Sequence, residues 1–292
     1  MGNRGLADSI RVVVDEIPSG VAKTALGVAM IRAEESRRGD RLFNDPYADA
    51  FLRAAPGAFA AEERAAQEPG NDVAALGRSF WGHAVVRTRF FDDWLLGAAK
   101  RGIRQVVIVA AGLDTRAYRL GWPPGHTLYE LDLPEIFAFK DNVLAAEAAV
   151  PRCERRSVAV DLREEWTEPL LAAGFDTSDP AAWLIEGLFI YLSADEAARL
   201  LAMVGELSAP GSEVAFEYES LGTDAMRARA ADSPVMASYA ALWKGGLPDP
   251  AGWLSAHGWR AEQHDRATVS SRYGRPTQGD SRGGFLTATR DG

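Results

Sequence analysis

Gly112 and Asp132 are the pair on which this 292-residue chain could build chemistry. Each closes an apolar stretch, at 105–109 and 127–131, and 20 residues separate them. A βαβ nucleotide fold places a carboxylate at that distance from its first turn, against the ribose hydroxyls of a bound nucleoside. Val106, Val107, Ile108 and Val109 form an unbroken β-branched run, the pattern of a strand buried on both faces of a parallel sheet. Ala110, Ala111 and Gly112 then let the chain turn sharply and a ligand come close, since Gly112 has no Cβ and tolerates positive φ. Asp114 or Thr115 can accept hydrogen bonds from the first N–H groups of a helix through Arg116, Tyr118 and Leu120. The spacing points to a nucleoside cofactor.

The loop between the pair separates two cofactor classes. A dinucleotide seats its pyrophosphate on a helix N-terminus through Gly-x-Gly-x-x-Gly. Residues 110–115 read Ala-Ala-Gly-Leu-Asp-Thr, so the first and third glycines are missing and Asp114 puts negative charge where a phosphate would sit. The zwitterionic tail of S-adenosylmethionine suits such a loop better than NAD does. Glu130 lies two residues before Asp132 and shares its side of the strand. Asp161 and Asp132 can serve as helix caps, yet open α/β sheets bind ligands at the edge where both are expected. Glu186 follows the apolar run at 181–185, where a carboxylate is costly unless a cation or donor meets it. Arg87 reads as a helix-surface arginine or as a ligand contact. The four histidines, His83, His126, His257 and His264, lack metal-ligand spacing, and no metal is expected.

These residues need a scaffold, and the pattern changes near residue 100 to provide one. Residues 1–100 read as helical. One helix carries Leu26, Ala29 and Ala33 at helical spacing, and Asn44 or Asp45 can cap another with Pro46 in its first turn. An Ala/Glu-rich stretch at 54–75 reads as a surface segment. A helix over 80–99 presents Val85, Val86, Phe90, Trp94 and Leu95 as its packing stripe, with Arg87 and Arg89 on other faces. From residue 105 strands and helices alternate, which predicts a doubly wound α/β sheet of about seven strands, mostly parallel. Strands are expected at 105–109, 127–131, 156–162, 182–186, 213–218, 259–264 and 285–289. Ser193 and Glu196 form a capping box for a helix to Leu207. Residues 219–248 interrupt the alternation as a lid-like insertion, and 270–284 read as a loop.

Composition limits the partners. The chain is 47% hydrophobic and 25% charged, as ordinary globular proteins are. Its net charge of −9 argues against a nucleic-acid groove, which needs clustered positive potential. The pairs Arg37-Arg38 and Arg155-Arg156 read as solvated faces. The single Cys153 allows neither an internal disulfide nor a multi-cysteine metal site. No apolar run approaches the roughly 18–20 residues that cross a bilayer, and the first 17 residues mix charges into their apolar positions, so a cytoplasmic location is expected.

A resemblance sharpens this reading. The stretches Thr24-Ala-Leu-Gly-Val-Ala, Arg41-Leu-Phe-Asn-Asp-Pro-Tyr, Arg87-Thr-Arg-Phe-Phe-Asp, Ala111-Gly-Leu-Asp-Thr-Arg-Ala-Tyr-Arg-Leu, Tyr129-Glu-Leu-Asp-Leu-Pro, Asp161-Leu162 and Glu186-Gly-Leu-Phe-Ile-Tyr-Leu run from residue 24 to 192. Gly258-Trp259 adds a weaker match. Together they resemble the leucine carboxyl methyltransferase-like family, in particular its mycobacterial and actinomycete branch. The resemblance implies a Rossmann-like methyltransferase sheet with an N-terminal helical cap over residues 1–100, and S-adenosylmethionine as cofactor. It implies that Arg87 meets the methionine carboxylate and that Ala110 and Gly112 form the loop under the cofactor. Asp132 would take the ribose, Asp161 and Leu162 the adenine, and Glu186 the amino group, with Tyr191 in the same motif. Ala110 departs from the glycine that many relatives carry. The implied reaction is methylation of a carboxylate or hydroxyl on a small metabolite, with secondary metabolism as the setting. A carboxylate acceptor would need no general base; for a hydroxyl, His83 is the candidate.

Overall fold

The computed structural model describes residues 21–60, 73–218, 228, 240–276 and 283–292. Most of the 219–248 insertion and part of the 54–75 stretch lie outside the described residues.

Seven strands form one sheet in the order β3-β2-β1-β4-β5-β7-β6. They are β1 (Gln105–Val109), β2 (Thr127–Asp132), β3 (Glu154–Ala159), β4 (Ala181–Ile185), β5 (Glu213–Tyr218), β6 (Trp259–Asp265) and β7 (Gly284–Arg290). β7 runs antiparallel to both its neighbours, β5 and β6, and the pairs from β3 across to β5 are parallel. The strand order reverses between β1 and β4, and at such a point the crevice beyond the carboxyl ends of the strands is the ligand site of open α/β sheets.

The period of two along β1 divides the core. Val106 and Ile108 pack on one face with Leu26, Phe51, Phe91 and Leu95. Those partners come from α1 (Val21–Arg37), α2 (Ala48–Ala54) and α3 (Val73–Lys100), so the N-terminal helices share a core with the sheet. Val107 and Val109 pack on the other face with Trp166, Trp183 and Val204. There the cover includes α6 (Thr167–Ala172), α7 (Ala194–Glu206) and α8 (Pro250–Ala256). Between them in sequence lie α4 (Arg116–Arg119) and α5 (Pro134–Ala146), and α9 (Arg266–Arg272) follows β6. All five residues of β1 are buried, as its unbroken apolar run predicts.

Ser193 and Glu196 make the expected capping box at the start of α7. Other boundaries move for physical reasons. β3 ends at Ala159 because its ladder runs in register with β2 only as far as Asp132↔Ala159, leaving Asp161 in a loop. The 270–284 stretch begins inside a helix, α9, whose first turn is capped by the Asp265 side chain accepting from Thr268 N. Neither Asn44 nor Asp45 caps α2, which starts after Tyr47; Asp45 instead turns inward to Arg32 and Thr115. No described helix is long and apolar enough to cross a membrane.

Ala110 sits at φ +54, in the left-handed region that disfavours a Cβ. Ala110→Gly is therefore expected to raise stability by about 0.5–1 kcal/mol, the relief of strain exceeding the added chain entropy. Urea unfolding of the two proteins checks this; a variant no more stable than the wild type would show the strain to be absorbed elsewhere.

Candidate active site

Beyond the carboxyl ends of β1 to β4 lies a cavity of about 1320 Å³. Ligand pockets commonly hold about 300–1,000 Å³, so this one has room for a cofactor and an acceptor together. Its wall brings together Arg87, Ala110, Gly112, Asp132, Asp161, Leu162, Glu186 and Tyr191, although 104 positions part the first from the last.

Asp132 ends β2 and braces the β1 loop. Its Oδ2 accepts from Gly112 N at 2.6 Å and its Oδ1 from Leu133 N at 2.7 Å. Burial raises its carboxyl above the usual range, against those two donors. Gly112 adopts φ +50, and a Cβ there would come 3.3 Å from the Ala25 Cβ of α1, so the roof of the cavity rests on this glycine. Arg32, also on α1, grips the same loop by donating to Leu113 O at 2.6 Å, and its Nε stands 3.0 Å from Asp45. Asp45 in turn accepts from Thr115 Oγ1 at 2.7 Å. Asp161 stands at the rim, where Arg163 binds it and lowers its carboxyl pKa.

Arg87 and Glu186 meet at the inner end. Arg87 Nε donates to Glu186 Oε1 at 2.8 Å, and Glu186 Oε2 lies 2.8 Å from Arg116 Nη1. Burial pushes the Glu186 carboxyl up, yet Arg116 and Arg87 outweigh it and hold it below the usual range. Arg116 also binds Asp92 at 2.7 Å and Asp114. Glu217, on β5, accepts from Gly187 N at 2.6 Å and from Arg87 Nη1 at 3.4 Å. Tyr191 is tied to Thr24 and Trp243, and burial raises its pKa, so its phenol stays protonated at neutral pH.

Several expectations need correction. Arg87 does not lie off the packing stripe of its helix; it is buried against two carboxylates. Glu130 lines no part of the cavity: Lys140 Nζ at 2.8 Å and Arg155 Nη2 at 2.7 Å hold it in a buried cluster. Arg155 is thus no solvated charge, because the β3 register carries it inward to Glu130. His83 is absent from the cavity wall and stacks on Phe285, ring centroids 6.0 Å apart. Burial, with Arg266 and Arg87 nearby, keeps it neutral by lowering its pKa well below the usual value. Asp114 does not project bare charge into the loop, since Arg116 pairs with it. The pyrophosphate is disfavoured for another reason: α4 is a single turn of four residues and offers little helix dipole. Thr115 is the N-cap of that turn but makes no side-chain cap bond, and Asp114 instead closes an Asx turn just before it, its Oδ1 accepting from Arg116 N at 2.6 Å. Among the described residues no cluster of potential metal ligands occurs.

Burial pushes the Asp114 carboxyl up, but Arg116, Lys140 and Arg119 prevail and bring it to about 2. A carboxyl with a folded pKa below its unfolded one adds stability above the unfolded value, and that stability fades as the pH falls through the folded value. Asp114→Asn should cost about 2 kcal/mol at pH 7 and progressively less between about pH 4 and 2. Urea unfolding across that range reads it; a deficit that does not shrink in acid would refute the charge pairing.

Arg116 and Glu217, which pair with the cavity residues Glu186 and Arg87 from behind the wall, are not disclosed by the pattern of the chain. Arg116 had a weak signal in the Asp-Thr-Arg run after Gly112; Glu217, in an alternating strand, had none.

Residues 25–205 match the leucine carboxyl methyltransferase family. A protein of Parafrankia sp. (strain EAN1pec), assigned by name to the S-adenosyl-L-methionine-dependent methyltransferases, is 48% identical over 93% of this chain and 88% of its own. A protein of Streptomyces coelicolor with the same assignment is 44% identical over 94% of this chain and 96% of its own. Among solved structures, a protein from Thermobifida fusca YX, assigned by name to the methyltransferases, shares the fold at a TM-score of 0.53 and 18% identity, covering 84% of this chain and 93% of that one. The extent of the match and the identity to these relatives place the chain in the leucine carboxyl methyltransferase family.

Proposed function

We propose that the protein transfers a methyl group from S-adenosylmethionine to an oxygen, carboxylate or hydroxyl, of a small molecule. Membership of a methyltransferase family supports the reaction class. The observation that carries the reading is the convergence of Asp132, Arg87, Glu186 and the Asp161-Leu162 pair on one cavity at the strand-order reversal.

The residues fit the cofactor by their chemistry. An ionised carboxylate offers about four acceptor positions, and Asp132 spends two on backbone N–H groups, leaving acceptors for two ribose hydroxyls. Arg87 engages Nε and Nη1 with carboxylates and keeps guanidinium donors for the cofactor's own carboxylate. Glu186 lies where it can receive the amino group. Asp161 would accept from the adenine amine while Leu162 packs on the ring. We assign residues 1–100 to a cap and 101–292 to the cofactor-binding core. Helix α1 and the described residues Leu242 and Lys244 close over the cavity, since Thr24, Ala25 and Val28 stand with them on its wall.

When bound, the cofactor supplies an activated methyl group. The chain supplies alignment of the acceptor oxygen and exclusion of water. A carboxylate acceptor is already ionised at pH 7 and asks for nothing more. A hydroxyl acceptor asks in addition for a proton acceptor, a role His83 is badly placed to fill.

Calorimetry with S-adenosylmethionine and S-adenosylhomocysteine tests the cofactor; folded protein that binds neither would overturn the proposal. Incubation with methyl-labelled cofactor and a panel of small carboxylates and phenols tests the acceptor. Label released by mild alkali marks a methyl ester, and alkali-stable label marks an ether.

A further inference from the structure

The Glu217 carboxylate is unevenly satisfied. Its Oε1 receives two donors, Gly187 N at 2.6 Å and Arg87 Nη1 at 3.4 Å. Its Oε2 is buried and has no hydrogen-bond partner among the described residues. Buried carboxylates are costly unless both oxygens are met, so this group sits where it is poorly compensated. Arg87, its nearest cation, already gives its better bond, at 2.8 Å, to Glu186. One guanidinium therefore faces two carboxylates, and Glu186 has a second cation in Arg116 whereas Glu217 pairs with no other among the described residues. Gly187, which Glu217 holds, is itself on the cavity wall with φ +73, and a Cβ added there would lie 3.8 Å from both terminal nitrogens of Arg87.

We propose that Glu217 is a positioning residue that fixes Arg87 and the Gly187 turn and, by its charge, weakens the grip of Arg87 on an anionic ligand group. This rests on the reading that Arg87 receives the carboxylate of the cofactor's amino-acid tail. A restrained grip is useful in a transferase, because the product S-adenosylhomocysteine carries the same carboxylate and must leave after each turnover. Burial raises the Glu217 carboxyl above its usual range, with Arg87 opposing and the neighbouring Glu186 adding to the rise.

The test uses two ligands that differ only at the tail: S-adenosylhomocysteine, and 5′-methylthioadenosine, which keeps the nucleoside and thioether but lacks the carboxylate and amine. Glu217→Gln keeps an oxygen for Gly187 N and removes the charge. Calorimetry should show S-adenosylhomocysteine binding about tenfold more tightly, as loss of one unit charge a few ångströms away implies, with 5′-methylthioadenosine unchanged. Glu217→Asp, which draws the charge back by one methylene, should give a smaller gain of about threefold and serves if the glutamine variant does not fold. Equal changes for both ligands, or weaker S-adenosylhomocysteine binding, would reduce Glu217 to a structural strut and overturn the proposal. Arg87→Met separates the two levels. If it leaves S-adenosylhomocysteine affinity intact, the reading of Arg87 fails and the proposal falls with it. If it weakens binding while the Glu217 variants tighten nothing, only the proposal fails.

Discussion

An Arg87→Met variant is expected to bind S-adenosylhomocysteine about a hundredfold more weakly than the wild type, a loss in the range seen when one member of a buried charge pair is truncated. It should also lose about 3–5 kcal/mol of stability, because a buried carboxylate is left without its cation. The partner most affected is Glu217, whose only ion pair is with Arg87 among the described residues, whereas Glu186 retains Arg116 at 2.8 Å. The stability deficit has a sign in pH. Burial and Glu186 hold the Glu217 carboxyl above its usual range even with Arg87 present. A group whose folded pKa is raised is most favourable to folding when protonated, so the deficit should narrow as the pH is lowered toward and below the ordinary carboxyl range. Urea unfolding at several pH values, alongside calorimetry, separates the two effects. Lost stability with wild-type affinity would leave Arg87 as a strut between α3 and the sheet and remove its ligand role.

The parts of this site that could be read from the chain are those whose signal is local. Gly112 and Asp132 each end an apolar run, and their separation along the chain is imposed by one βαβ unit, so pattern and geometry coincide. Glu186 was legible for the same reason: a carboxylate closing the buried run of β4 demands a cation, and two arginines answer. The misreadings share a different cause. Glu130 has the same parity as Asp132, but parity along a strand does not say what packs above it, and Lys140 from α5 fills that space. Arg155 looked like surface because neighbouring Arg156 is charged too; only the register of β3 on β2 sets it beside Glu130. Glu217 gives no local signal because its partners, Arg87 and Gly187, are 130 and 30 positions away in the chain. The start of α9 carries no separate signal in the chain because its cap, Asp265, is also the last residue of a strand.

The roof and the floor of the cavity are mechanically one unit, which bears on what Asp132 does. α1 reaches the β1 loop through Arg32 to Leu113 O, through the Arg32–Asp45 pair to Thr115, and through Ala25 against Gly112. Asp132 holds the same loop from below through Gly112 N. Removing it therefore frees two backbone N–H groups and lets the loop shift under α1.

Asp132→Ala is accordingly expected to weaken S-adenosylhomocysteine and 5′-methylthioadenosine alike, by about 1–3 kcal/mol each, since both carry the ribose and both lose a buried hydrogen-bond acceptor. That common loss distinguishes Asp132 from Arg87, whose removal should spare 5′-methylthioadenosine. Asp132→Asn is no gentle substitute. Its amide oxygen can serve Gly112 N or Leu133 N, but the amide nitrogen would then point a donor at the other donor, so most of the alanine deficit should persist. The wild type gives a second, independent reading. The ribose hydroxyls would donate to the ionised carboxylate, and burial raises the pKa of this group. Affinity for 5′-methylthioadenosine, which has no tail charges to titrate, should therefore decline on acidification from a higher pH than an ordinary aspartate would set, and Asp132→Ala should abolish that decline. An alanine variant that keeps wild-type affinity for both ligands would leave Asp132 a brace of the loop alone and return the ribose to some other acceptor on the wall.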